Sequence, residues 1–167
     1  MARGEKPATA RTEVGEAYEA STSALQAAKG QRLSLRRAIN GLEEALATPA
    51  AGSPAGWLEG LSGALEHLRD VWAVHVEVTE GPGGLYQEIV ENAPRLATKV
   101  GRFRREHGDL AEDIRAGLAA ARAARDDGEV QAVRDRMVRL FADLTRHRKR
   151  GLDLVYEAYH VDIGGES

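Results

Sequence analysis

Short clusters of proline, glycine and small polar residues interrupt a chain otherwise built from strong helix formers, and the spacing of these breaks constrains the fold more than any other feature. The first cluster is TPAAGSPAG, Thr48 to Gly56. The second is EGPGG, Glu80 to Gly84. Asn92-Ala93-Pro94 is a softer signal, because proline suits the first turn of a new helix. The last internal break is Asp126-Asp127-Gly128, and Gly164-Gly165 is expected to end the final helix. Between the breaks Ala, Leu, Glu and Arg dominate. No period-2 strand pattern appears. Four helices are predicted at about 10–47, 56–79, 94–123 and 128–161, with a short extra helix at about 84–92. Short connections between long helices imply an all-α, antiparallel up-down four-helix bundle. A single domain at 10–163 is expected, with tails at 1–9 and 164–167.

Spacing of three and four residues identifies the face each helix turns to the core. In the second helix the stripe is Leu58, Leu61, Leu65, Leu68, Trp72, His75, Thr79. In the third it is Leu96, Val100, Phe103, His107, Leu110, Ile114, Leu118. In the fourth it is Val133, Met137, Leu140, Leu144, His147, Gly151, Leu154. Each stripe carries one histidine, while His67 and His160 fall off them. The first helix gives Leu25, Ala28, Arg32, Leu35, Ile39, Leu42, Leu46, with Arg32 where the others have histidine. Arg32 lies ~22 Å before the first loop and His75 ~28 Å beyond it, at 1.5 Å rise per residue. His107 and His147 repeat those distances, ~22 and ~28 Å, around the loop between the third and fourth helices. One layer containing Arg32, His75, His107 and His147 follows. It is either a functional polar layer or a hydrogen-bonded structural one.

Composition excludes several functions. With no cysteine, a metal would have to sit on His, Asp or Glu. A net charge of −3 leaves no strong electrostatic footprint for nucleic acid. The basic run Arg146 to Arg150 spreads around a helix and is best read as a solvated face. GPGGL lacks the strand and the Lys-Ser/Thr of a phosphate loop. Apolar runs are far shorter than a bilayer span and no signal-peptide pattern opens the chain, so a cytoplasmic protein without a membrane partner is expected. Arg outnumbers Lys and Ala is abundant, a balance expected of a high-GC bacterial source. Trp57 and Trp72 are expected to pack in the core or at its ends, and Tyr156 and Tyr159 to seal the bundle.

Three segments carry a resemblance. HVEVTEGPGGLY (His75 to Tyr86) resembles the HF-x-x-EE-x-GGY segment of hemerythrin-like proteins. RREHGDL (Arg104 to Leu110) is similar to their E-H-x-x-L helix, and HRKRGLDLVYEAYHVDIGG (His147 to Gly165) to their closing H-E-x-x-E-x-x-L helix. The resemblance covers about residues 25–165. It implies a non-haem iron pair held in a four-helix bundle by imidazoles and carboxylates, and binding of, or response to, oxygen or iron. Carried over by position, His75, His107 and His147 stand where family histidines stand. The first-helix histidine is replaced by Arg32, or by Gln31 if the alignment shifts by one. Phe103 replaces a further histidine that some members have. The carboxylate four residues after His75 is replaced by Thr79, and the one after His147 by Gly151. Two iron ions need bridging carboxylates, and Arg32 places a fixed positive charge at the site. A normal di-iron site is therefore not expected.

Two outcomes remain open for the layer. The three histidines, with Glu80 as a further ligand if the helix end unwinds, hold one iron or zinc ion. Otherwise no metal binds, Arg32 pairs with Glu77, Glu80 or Glu106, and the bundle is structural or binds another protein. A third reading follows from the small side chains of Thr79 and Gly151, which leave room for a pocket for O2 or another small ligand. No catalytic residue is identified, and the oligomeric state is either monomer or homodimer.

Overall fold

A computed structural model describes residues 9–50 and 52–160, with side chains from residue 23 onward. Among these residues the chain is helical throughout, without strands. Four long helices form: α1 (Thr9–Ala47), α2 (Pro54–Glu80), α4 (Ala97–Ala123) and α5 (Asp127–His160). A short α3 (Leu85–Asn92) and a 3-10 turn (Pro94–Leu96) join α2 to α4. Of the expected tails at 1–9 and 164–167, residues 1–8 and 164–167, with the Gly164-Gly165 stop, lie outside the described residues, while Thr9 opens α1.

Local chemistry sets each boundary. The Ser53 hydroxyl accepts the Gly56 N–H at 3.1 Å and Pro54 opens α2, so the helix begins two residues before the predicted start. At the other end Gly83 takes φ +69°, and a Cβ on Gly84 would meet three backbone carbonyl oxygens at 2.8–3.0 Å. Only glycine fits both positions. Asp126 accepts the Glu129 N–H at 2.8 Å, and Glu129 accepts the Arg125 N–H at 2.6 Å, which together start α5. The last carbonyls of α1 are satisfied from other helices. Arg134 donates to Leu46 O at 2.8 Å and the Trp57 indole to Ala45 O at 2.9 Å. The Arg134 guanidinium lies 4.6 Å over the Trp57 ring, tying α5 to the α1–α2 connection.

The four long helices pack side by side, α1 against α2 and α5, and α4 against α2 and α5. The sequence stripes are the faces that meet. Leu61, Leu65, Leu68, Trp72, Leu110, Ile114, Leu118, Met137, Leu140 and Leu144 are buried in one large cluster with Leu35, Ile39 and Leu42. Each fully buried leucine contributes roughly 1.5–3 kcal/mol. A second cluster joins Leu85, Tyr86, Ile89, Val100, Phe103 and Leu154 around α3. Two expectations are corrected. Trp57 rather than Leu58 takes the first buried place on α2, because the indole reaches back to the α1 terminus. Tyr156 is 63 % exposed and stacks on His160, whereas Tyr159 hydrogen-bonds Glu88 of α3 and closes that end.

Candidate metal centre

The two apolar clusters are separated by a polar layer built from one residue of each of three helices. His75 on α2, His107 on α4 and His147 on α5 are 7 %, 1 % and 2 % exposed. One ring nitrogen from each lies within 4.8 Å of the other two. The ring centroids stand 5.1 Å (His75–His107), 5.8 Å (His75–His147) and 4.9 Å (His107–His147) apart. The predicted heights of these residues thus place them together, as the geometry of the two hairpins requires.

Trp72, one turn before His75, is the floor of this layer. Its ring centroid lies 5.2 Å from His75, 5.4 Å from His107 and 5.2 Å from His147. Its indole N–H donates to the His107 carbonyl at 3.2 Å, which fixes α2 against α4 at this level. Phe103 packs edge-on to His147 at 5.3 Å.

His107 is fully oriented. Its Nδ1–H donates to Glu80 Oε1 at 2.5 Å. A carboxylate partner selects the tautomer whose Nε2 carries the lone pair. The Tyr86 hydroxyl, 4 % exposed as a residue, donates to that Nε2 at 3.3 Å. Sequence reasoning did not assign Tyr86 to the site. Its place in the GGLY segment, three residues after a left-handed glycine, was the available signal. His147 Nδ1 lies 3.5 Å from Glu106 Oε1, too far to hydrogen-bond it. His75 has no hydrogen-bond partner for either nitrogen, and both are buried.

Burial keeps all three rings neutral. It pushes His75 down to about 3, His107 to about 4 and His147 to about 2. Neighbouring histidines lower His75 and His147 further, with Arg32 adding to the effect at His75, Arg150 at His147 and Arg104 at His107. Neutral imidazole is the form that ligates a metal. Burial also raises the Glu80 carboxyl, against the pull of Arg104 at 4.0 Å.

The remaining expected site residues take other roles. Glu80 does not join the converging nitrogens: α2 stays helical through Glu80, and its side chain spans to His107 on α4. Glu77 is exposed. Glu106 binds Arg150 at the edge of the layer. Arg32 therefore does not pair with Glu77, Glu80 or Glu106, and makes no ion pair or hydrogen bond among the described residues. Arg32, not Gln31, lines a cavity of about 30 Å³ with His75, Thr79, Tyr86, His147 and Gly151. The Thr79 hydroxyl is committed to its own helix, donating to His75 O at 2.8 Å. Among the described residues no carboxylate bridges the layer.

The donor set fits one ion and not two. Three neutral imidazoles are a familiar ligand set for zinc or iron, with bonds of about 2.0–2.1 Å that would draw the nitrogens closer than they stand here. The unpartnered nitrogens of His75 are the sign of fit, because a buried polar atom without a partner costs roughly 1–3 kcal/mol. A di-iron pair finds no bridging oxygen donor among the described residues.

The chain matches no protein-family model, and no curated protein or solved structure matches it. No helix among the described residues is long and apolar enough to cross a membrane.

Proposed function

We propose that this protein is a hemerythrin-like, antiparallel up-down four-helix bundle whose two-metal site has been reduced to a mononuclear centre. His75, His107 and His147 hold one zinc or iron ion, His107 through the Nε2 that gives up its hydrogen bond to the Tyr86 hydroxyl, and an open position faces a small cavity where O2 or another small ligand binds. The single observation that supports this most is the convergence of three buried, neutral imidazoles, one of which has no protein partner for either nitrogen. Paired positions such as Ala45 with Trp57, His107 with Trp72, and Glu106 with Arg150 support the antiparallel arrangement, since in each pair a residue late on one helix meets one earlier on its neighbour. The ion would supply Lewis acidity or ligand binding at that position. Glu80 orients His107, and Trp72 and Phe103 exclude water.

Elemental analysis of protein purified from cells grown with iron and zinc tests the proposal. About one equivalent is expected, and less than about a tenth of an equivalent of any transition metal refutes it. A metal that binds only the native state at a hundredfold excess over its Kd adds about 2.7 kcal/mol of stability, which a chelator would remove. A second reading is a metal-free bundle that serves structure or protein interaction. It is favoured by Arg32, which lines a cavity with His75 and His147 and whose charge opposes a positive charge at His75. A melting temperature that does not respond to chelator selects that reading.

A further inference from the structure

The two flanks of α5 differ in what they present. The flank toward α4 is bridged by ion pairs, Asp113 with Arg136, Glu106 with Arg150 and Lys99 with Glu157. The flank toward α1 carries one line at helical spacing, Arg134, Val138, Thr145, Arg148, Leu152 and Tyr156. Two contacts place that line: Arg134 donates to Leu46 O, and Arg148 shares a cavity wall with Arg32. Val138, Leu152 and Tyr156 are 46–63 % exposed, and with Leu33 of α1 they are four of the five exposed large apolar side chains among the described residues. A single exposed apolar residue is ordinary, whereas a line of them marks a contact surface. On the α1 side of the seam stand Lys29, Arg32 and Arg36, at spacings of three and four, with Leu33 beside them. The side chains of these three cations and of Arg148 make no ion pair or hydrogen bond among the described residues. Glu43, two turns beyond Arg36, is the one acid in line with them.

We propose that the seam between α1 and α5 is a docking surface for an acidic amphipathic α-helix of another protein. Arg134 at Leu46 and Arg148 at Arg32 show that the two helices run in opposite directions, so Leu152 stands level with Lys29. Cations on α1 and apolar side chains on α5 therefore lie side by side at the same height. A partner helix meets both at once when carboxylates line one of its edges and an apolar stripe lines the other. From Val138 to Tyr156 the line is about 27 Å long, which a helix of about 18 residues covers. Lys29 to Arg36 spans only about 10 Å, too short a run of charge for the several phosphates that nucleic-acid binding engages. With a net charge of −3 the chain has no long-range attraction to an anionic bilayer, which leaves short-range pairing in register with a helix. The surface stands whether or not the three histidines hold an ion.

The test selects binders to the full chain from a displayed library of helix-forming peptides of about 18 residues, randomised in charge and apolar pattern. Enriched peptides are synthesised and their affinities measured by fluorescence anisotropy. The expected winners are acidic, carry apolar residues at spacings of three and four, and bind more weakly as salt is raised. Replacing both exposed cations, Lys29→Glu with Arg36→Glu, should weaken binding about tenfold or more, because two attractions become repulsions. Leu152→Ser should weaken it about tenfold through lost apolar contact. All three positions are exposed, so helical circular dichroism and melting temperature should hold in both variants. No enrichment overturns the proposal, as do winners that are neutral or basic, or an affinity that neither variant changes. Vesicles containing phosphatidylserine and a single-stranded RNA of about 20 nucleotides are run beside the peptides. Tighter binding of either, lost in the same variants, gives the surface to that ligand and overturns the proposal. A dimer of the chain alone in sedimentation, split by Leu152→Ser, gives it to a second copy and overturns the proposal too.

Discussion

Acidifying the metal-free protein should unfold it through its three buried histidines. In the unfolded chain each imidazole titrates near 6.5. In the folded protein burial holds His75 near 3, His107 near 4 and His147 near 2. The folded values are depressed, so below pH 6.5 the unfolded chain binds protons that the folded one refuses. Stability is therefore flat above about pH 6.5, falls as pH drops below it, and stops falling only when the folded rings themselves protonate. At pH 5 each ring sits about 1.5 units below its unfolded value and above its folded one, which costs about 2 kcal/mol. The three together cost about 6 kcal/mol, against a total stability of about 5–15 kcal/mol for a typical domain. Urea unfolding followed by circular dichroism at pH 7.5, 6 and 5 measures this directly. A His75→Leu variant should lose about a third of the pH dependence, since leucine fills the space without a proton to bind. Equal unfolding midpoints at pH 7.5 and 5 would refute the reasoning, as would imidazole resonances of the folded protein that titrate near 6.5.

Further outcomes are expected elsewhere in the chain. Gly151→Ala adds a methyl group into open space inside α5 and should raise stability by about 0.5–1 kcal/mol, read as a melting temperature about 1–4 °C higher. Leu144→Ala, at a fully buried position beside the histidine layer, should cost about 2–5 kcal/mol in urea unfolding. With the metal centre as proposed, Glu80→Ala releases His107 from its fixed tautomer and should weaken zinc affinity about 10- to 100-fold in a competition assay, with little change in helix content.

The four core stripes were legible because helical periodicity leaves a repeating signal: almost every stripe residue from Leu61 to Leu154 is buried. The histidine layer was legible too, since rise per residue converts two loop positions into matching heights. What the chain did not disclose was the chemistry across helices. Glu80 sits about 140° around the α2 axis from His75 at 100° per residue, which argues for a group remote from the site. Its side chain instead reaches His107 on the neighbouring helix, a contact set by interhelical spacing rather than by any spacing within α2. Tyr86 enters through the tight Gly83-Gly84 turn, which swings α3 back over the layer. Arg32 was placed correctly at the layer, but its expected carboxylate partners proved to face other cations, Arg104 and Arg150. Tyr156 is exposed because it lies two residues, about 200°, around α5 from Leu154, whereas Ala158, one turn on, stays on the stripe and packs with α3.

The indole of Trp72 touches all three imidazoles, while the only other tryptophan, Trp57, is pinned at the α1–α2 connection beneath Arg134. The protein thus carries its own fluorophore in the layer and a second one outside it as an internal reference. Any quencher arriving among the rings, a paramagnetic ion or a newly formed imidazolium, would dim one emitter and spare the other. Occupancy of the centre then becomes an emission ratio that can be followed in a cuvette without a label.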